Sequence, residues 1–280
     1  MLGGSLARDL RRHQLAGKII GVCRSRHSAQ LALSEQLVDQ VLPLSEAVED
    51  ADLIVLATPM QAMSSIVEQV KSSVAKHAIL TDVGSVKADL YASVKRKAPH
   101  LLSQFVFAHP IAGGENSGAS AAKSGLYEHK HVIIADTDEI NPSASQKVIQ
   151  MWQRCGAQVI SMSLTEHDAV FARTSHLPHM VAYGLVNYLD QQTDRDRLFD
   201  LAAAGFYDFT RIASSDAEMW RDICITNKDQ ILSSLDSYLS QLGELRAKID
   251  RDDQDGILDY FKAAKHARDA GLHKKNQSSK

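Results

Sequence analysis

The sequence predicts an α/β fold, a doubly wound parallel sheet followed by an all-α region, on three observations. Short β-branched runs alternate with helical periodicity through the first half, several of those runs are apolar almost without a break, and the strand pattern stops after Met162. A strand covered on both faces by crossover helices loses the polar alternation of a half-exposed strand. Continuous apolar runs between amphipathic stretches therefore mean a parallel sheet with helices on both sides.

Taken in order, a helix is expected from residue 5 to about 14, followed directly by a strand at 18–23, the second half of a βαβ unit. Further strands are expected at 52–57, 78–83, 105–108, 131–135 and 158–162. Between them, Ile66, Val67, Val70 and Val74 recur at helical spacing, as do Val86, Leu90 and Val94 after Ser85. Thr165 followed by Asp168 reads as a helix start, and the chain beyond is helical apart from an interruption at 205–215. The expected domains are a Rossmann-type α/β domain at 1–163 and a helical domain at 164–273. The polar tail 274–280 has no apolar period and is expected to be disordered.

Composition narrows the function classes. With 44% hydrophobic and 23% charged residues in 280, the chain is globular rather than disordered or fibrous. A net charge of -3 offers no general attraction to nucleic acid or anionic lipid, so an anionic ligand must be held by locally placed donors, which favours a small molecule. Cys23, Cys155 and Cys224 form no Cys-x-x-Cys pair, and no metal site is expected. No apolar run approaches the roughly 20 residues that span a bilayer, and Arg8, Asp9, Arg11 and Arg12 stand where a signal peptide would be apolar. A reducing, cytoplasmic setting is expected.

Met1-Leu2-Gly3-Gly4-Ser5 corresponds to the last part of a dinucleotide-binding turn, in which a glycine lets the helix pack on the sheet and the helix amino terminus faces pyrophosphate. Gly3, Gly4 and Ser5 are therefore cofactor-binding candidates, as are Thr58 and Pro59 at the end of the strand at 52–57, and Ser85 after the strand at 78–83. No strand and no earlier fingerprint glycines precede Gly3. The expectation is an apolar slot with unpaired ladder groups, reflecting either a start downstream of the natural one or weakened cofactor binding. At the end of the second strand, where NAD-specific proteins place an acid, stand Arg24, Ser25 and Arg26, which suit a 2′-phosphate. NADP is thus expected to be accepted at least as well as NAD, the alternative being that the arginines line a solvated turn.

Three segments carry the chemistry. Asp82-Val83-Gly84-Ser85-Val86-Lys87 is a strand end, a glycine turn and a serine opening a helix, where doubly wound proteins bind ligands; Ser85 is also a candidate N-cap. His109-Pro110-Ile111-Ala112-Gly113-Gly114-Glu115 puts a histidine at a strand's carboxyl end, aimed at a cleft and suited to accepting a proton near neutrality. In Asp208-Phe209-Thr210-Arg211-Ile212-Ala213, Arg211 sits among apolar residues and needs either an acidic partner or a ligand carboxylate.

Together with Ser175-His176-Leu177-Pro178-His179, these segments resemble the prephenate and arogenate dehydrogenases, from Gly3 to roughly Ile225. The resemblance implies oxidative decarboxylation of prephenate to 4-hydroxyphenylpyruvate with hydride transfer to NAD(P)+, in tyrosine biosynthesis, or the corresponding reaction of arogenate. It implies that His109 draws the proton from the substrate hydroxyl, that Ser85 orients the pair, and that Arg211 holds the ring carboxylate. It places His176 and His179 at the cleft mouth, and Glu115 and Trp220 in gating and in contacts from a second subunit. Its members dimerise through the helical domain, with which Ile231, Leu232, Leu235, Leu239 and Leu242 agree as well as with an intrachain core. The monofunctional type is expected, since 280 residues leave no room for a mutase or regulatory domain.

Two rivals make distinct demands. A hydroxyacid dehydrogenase or imine reductase shares the sheet and glycine loop but relies on a lysine in the helical domain, for which Lys228 is the nearest candidate. A non-enzymatic paralogue that keeps cleft and dimer would follow from the absent first strand, but it has no need of the full set of catalytic residues.

Overall fold

The structure, a computed structural model, describes residues 1–114 and 118–278. Its first compact unit, Met1–Lys228, opens with helix α1 (Leu2–Arg12), β1 (Ile20–Gly21), α2 (Arg26–Ser34), β2 (Gln40–Val41), α3 (Leu44–Glu49), β3 (Leu53–Leu56), α4 (Met60–Val70), β4 (Ile79–Asp82) and α5 (Ala88–Lys97). It continues with β5 (Phe105–Pro110), β6 (His131–Asp136), α6 (Pro142–Arg154), β7 (Gln158–Ser163), α7 (Leu164–Phe171), α8 (Leu177–Asp190), α9 (Arg195–Asp200), α10 (Ala204–Thr210) and α11 (Ala217–Thr226).

The strands form two sheets. β1 and β2 pair in parallel, and a second sheet runs β3-β4-β5-β6-β7. Among the described residues β1 and β3 do not pair, so each keeps one open ladder edge, as the sequence leads one to expect. The larger sheet is not wholly parallel. β3–β4, β4–β5 and β6–β7 are parallel, whereas β5 and β6 run antiparallel with His109 opposite Ile133. A parallel return needs a crossover element, and no helix lies among the described residues between β5 and β6.

The core lies where the unbroken apolar runs meet their helices. Phe105, Val106, Phe107 and Ala108 are all fully buried, as are Val132 and Ile134 beside them. Phe105 and Phe107, two apart and so on one strand face, stack at 4.4 Å, while Val106 and Ala108 on the other face cluster with Val148 and Trp152 of α6. Each such aromatic side chain is worth roughly 1.5–3 kcal/mol by burial. Tyr127, in the segment after β5, donates from its hydroxyl to the Leu2 carbonyl at 2.7 Å, tying that segment to the start of α1.

Several boundaries differ from expectation. α7 starts at Leu164, with Ser163 as its cap accepting from the Glu166 N–H at 3.1 Å. Ser163 and Glu166 stand in the spacing of a capping box, so Thr165 is inside the helix. The stretch 205–215 is no interruption, since it is largely helical in α10 and a 3₁₀ turn, Arg211–Ser214. Residue 163, after which the domain boundary is expected, ends β7, and α7 follows it directly.

The second unit, Asp229–Lys280, holds α12 (Lys228–Asp250) and α13 (Gln254–Ser278). Between these helices Asp253 accepts from the Gly256 N–H at 2.9 Å, capping α13. α13 continues to Ser278, past residue 274, where the sequence leads one to expect disorder. Along these helices Ile231 is buried, whereas Leu232, Leu239, Leu242, Ile249, Leu258 and Phe261 are exposed. Among the described residues no helix is long and apolar enough to cross a membrane.

Candidate active site

The site is built first on the end of β4. Asp82, fully buried, accepts from the Gly84 N–H at 2.9 Å, from the Ala108 N–H at 3.0 Å and from the Lys87 ammonium. Lys87, also fully buried, donates to the Ala108 carbonyl at 2.8 Å. The β4–β5 ladder ends at Thr81 opposite Val106, so the next backbone groups of β5 would lack partners on that edge. The ion pair supplies them and fastens the Ser85 turn to the residue before His109. Two charges tolerate such burial only as a pair with their remaining hydrogen bonds met. Gly84 allows the closure, because a Cβ there would lie 2.5 Å from the Met60 sulfur and 2.9 Å from Asp82 Oδ2.

His109, the fifth residue of β5, is half-buried, and its ring meets Phe171 edge-on at 4.8 Å. Its Nδ1 lies 2.8 Å from Nε2 of His167, and Nδ1 of His167 lies 2.7 Å from Oδ1 of Asp168. The same carboxylate reaches across to α5, accepting from the Lys87 N–H and the Ala88 N–H at 2.9 Å each. Asp168 does cap a helix, then, but α5 rather than its own. Ser85 is not the cap of α5, which begins three residues later at Ala88. Burial, with the neighbouring His167, Lys87 and His176, pulls the His109 pKa well below its usual 6.5, so the ring is neutral near neutrality.

Behind this chain α7 passes into α8 through a π-turn, Ala172–His176. Pro178 explains the turn: it has no N–H to offer and its ring would clash with the carbonyl four residues back, so the helix widens. His176 at the end of the turn is buried rather than at a cleft mouth. Its Nδ1 lies 3.1 Å from Nδ2 of Asn227, which also donates to the Asp168 carbonyl at 3.0 Å. Burial lowers the His176 pKa to about 4. His179 donates from Nδ1 to the Ser175 carbonyl at 2.9 Å and stacks on Trp220 at 3.7 Å. Trp220, expected in gating or in a subunit contact, is buried against that ring within the chain.

Arg211 opens the 3₁₀ turn and is exposed, not enclosed by the aromatic residues around it, since Tyr207 and Phe209 are themselves exposed. The turn is tied to α8 by the Tyr183 hydroxyl, which donates to the Ser215 carbonyl at 2.7 Å. His109 thus sits with His167 and Phe171, and His176, His179 and Trp220 form a ring cluster, while Arg211 and Ser85 stand on separate turns. Glu115 lies outside the described residues.

The cofactor candidates divide. Gly3 and Gly4 are inside α1, not in a loop before it, and a Cβ on Gly3 would meet that of Ala57 at 2.7 Å. The glycine therefore lets the start of α1 lie against the end of β3, beside exposed Thr58 and Pro59. The first-turn N–H groups of Leu2, Gly3 and Gly4 are those a helix leaves without internal partners. Arg24 and Ser25 are exposed after β1. These groups fit an anionic dinucleotide. Ser5 does not belong with them: it is buried, donating to the Met1 carbonyl at 3.1 Å and accepting from the Lys123 N–H at 3.0 Å.

The sequence matches the prephenate dehydrogenase nucleotide-binding domain over residues 6–161 and the prephenate dehydrogenase dimerization domain over residues 163–263. The chain belongs to the prephenate dehydrogenase family. Within that family it is 34% identical to the prephenate dehydrogenase of Bacillus subtilis over 275 residues, 96% of this chain and 73% of the relative. The structure of the A. aeolicus prephenate dehydrogenase in complex with hydroxyphenyl propionate and NAD+ superposes with a TM-score of 0.89 at 35% identity, covering 95% of this chain and 93% of the other. That of Synechocystis arogenate dehydrogenase superposes with a TM-score of 0.79 at 29% identity, covering 96% of each chain.

Sequence reasoning gave no site role to Asp82, Lys87, His167, Asp168 and Asn227, although they hold the surroundings of His109 together. The available signal was chemical: Asp82 closes the largely apolar strand that runs from Ala78, where an unpaired charge is too costly to stand.

Proposed function

We propose that the protein oxidises and decarboxylates prephenate to 4-hydroxyphenylpyruvate, passing a hydride to NAD(P)+. The observation that carries this reading is the lodging of His109: a neutral, half-buried histidine at a strand's carboxyl end, with one ring nitrogen engaged by His167. Such a ring can take the hydroxyl proton as the ring carbon is oxidised. Arg211 holds the ring carboxylate, which leaves as carbon dioxide while the ring becomes aromatic, and Ser85 orients hydroxyl and histidine. His179 and Trp220 shape the adjoining wall of the substrate site, with buried His176 behind them.

NAD(P)+, when bound, supplies the hydride acceptor. The first turn of α1 with Gly3 and Gly4, together with Thr58, Pro59, Arg24 and Ser25, would hold it. Exposed Arg24 and Ser25 support acceptance of NADP at least as readily as NAD. The match to a dimerization domain, with the exposed apolar residues of α12 and α13, supports a homodimer. The three unpaired cysteines support a reducing, cytoplasmic setting.

Likeness to the arogenate dehydrogenase favours a second substrate, since arogenate differs from prephenate in an amino in place of a keto group. Nicotinamide reduction with each substrate and each cofactor tests the reading. We expect prephenate-dependent reduction that His109→Asn lowers about 100-fold or more at similar KM. Absence of reduction with both substrates, or near-normal turnover in His109→Asn, overturns it.

A further inference from the structure

We infer that His167 and Asp168 are a positioning pair that holds His109 in one tautomer, with its proton on Nδ1 and its lone pair on Nε2. The inference rests on the reading of His109 as proton acceptor and adds how the ring is prepared for that task.

The argument starts at Asp168. Both of its oxygens accept backbone N–H groups, Oδ1 from Lys87 and Oδ2 from Ala88, at the amino end of α5 where acceptor groups are favoured. A backbone N–H can only donate, so the carboxylate is an acceptor throughout, and His167 Nδ1, 2.7 Å from Oδ1, must carry a proton. Burial keeps the His167 ring neutral against the pull of Asp168. Its Nε2 therefore bears the lone pair, and the 2.8 Å contact can form only if His109 Nδ1 donates. What remains on His109 is an unprotonated Nε2. A neutral imidazole left to itself distributes between two tautomers, and the wrong one would present a proton to the substrate hydroxyl instead of a base.

The pair also serves the protonated state. When His109 gains a proton on Nε2, its Nδ1–H still has an acceptor in His167, and the Asp168 carboxylate lies behind. The same carboxylate fixes the start of α5, so the tautomer and the position of the Ser85 turn are set by one group.

The test compares the full-length protein with His167→Leu and His167→Gln. A leucine offers His109 nothing, whereas a glutamine can turn its amide oxygen to His109 and its amide NH2 to Asp168. Nitrogen NMR on histidine-labelled protein, with His109 assigned by His109→Asn, reads the tautomer without substrate. The Nδ1–H form is expected in the wild type and His167→Gln, and a mixture in His167→Leu. Turnover of prephenate should fall at least about tenfold in His167→Leu, with KM within about threefold, and be largely restored in His167→Gln. The inference is overturned if wild-type His109 carries its proton on Nε2, or if folded His167→Leu keeps both tautomer and turnover. Should His167→Leu fail to fold, the wild-type and His167→Gln spectra still decide. If the wild type reduces the cofactor with neither prephenate nor arogenate, the functional reading falls while the tautomer measurement stands.

Discussion

Acidification should destabilise the fold through one buried ring. His176 titrates at about 4 in the folded chain against an ordinary 6.5, because burial penalises its charged form. The geometry adds to this: Asn227 Nδ2 is held as a donor by the Asp168 carbonyl, so a proton on His176 Nδ1 would set donor against donor. Above the unfolded value both states are neutral and nothing is lost. As pH falls below about 6.5 the unfolded chain takes the proton first, and stability declines until the folded ring also titrates near 4. At about 1.36 kcal/mol per pKa unit the full loss is about 3 kcal/mol, of which about 2 kcal/mol falls between about pH 7.5 and about pH 5. His176→Gln keeps an acceptor for Asn227 and cannot titrate. Urea unfolding at both pH values and one protein concentration should show wild-type stability dropping about 2 kcal/mol further than that of the variant. Two curves that stay parallel across that range would refute the argument.

Other consequences follow from the same geometry. Lys87→Met leaves Asp82 charged and buried without its cation, and should lower stability by about 3–5 kcal/mol in urea unfolding. Because the pKa of His109 is depressed, the acid limb of kcat/KM with prephenate should lie well below pH 6.5, where a solvent-exposed histidine base would place it. Arg211→Ala should raise KM at least about tenfold with a smaller effect on kcat, as loss of a carboxylate contact does. Arg24→Ala should raise the KM for NADP by about tenfold or more while sparing NAD, which comparison of the two cofactors reads directly.

Strand positions were readable in the sequence where burial is two-sided. The runs at 78–83 and 105–108 contain β4 and most of β5, because a strand with both faces covered carries little besides apolar side chains. β2, two residues long, has no such run, and its existence depends on pairing with β1. The reversal of β6 is a matter of the connection rather than of either strand's composition. At the site, His109 stood out because a strand end and Pro110 mark it. The partners of His109 did not, since His167 and Asp168 lie 58 residues and more beyond it and meet it only through the packing of α7 on the sheet. The same distance misled the cap assignment at Ser85, for which a carboxylate from α7 substitutes.

The π-turn between α7 and α8 has a consequence for phase. In an unbroken α-helix, residues nine apart such as His167 and His176 would point to opposite sides, about 180° apart. Five residues wound with the wider turn each advance through a smaller angle, so everything after Ala172 lags by roughly the rotation of one residue, on the order of 100°. The turn therefore works as an inserted residue. It swings His176 toward the side that carries His167 and leaves α8 running on in register with its own neighbours. Removing Thr174 would take out that extra residue together with its turn, so His167 and His176, then eight apart in a plain helix, would stay within about 80° of one another.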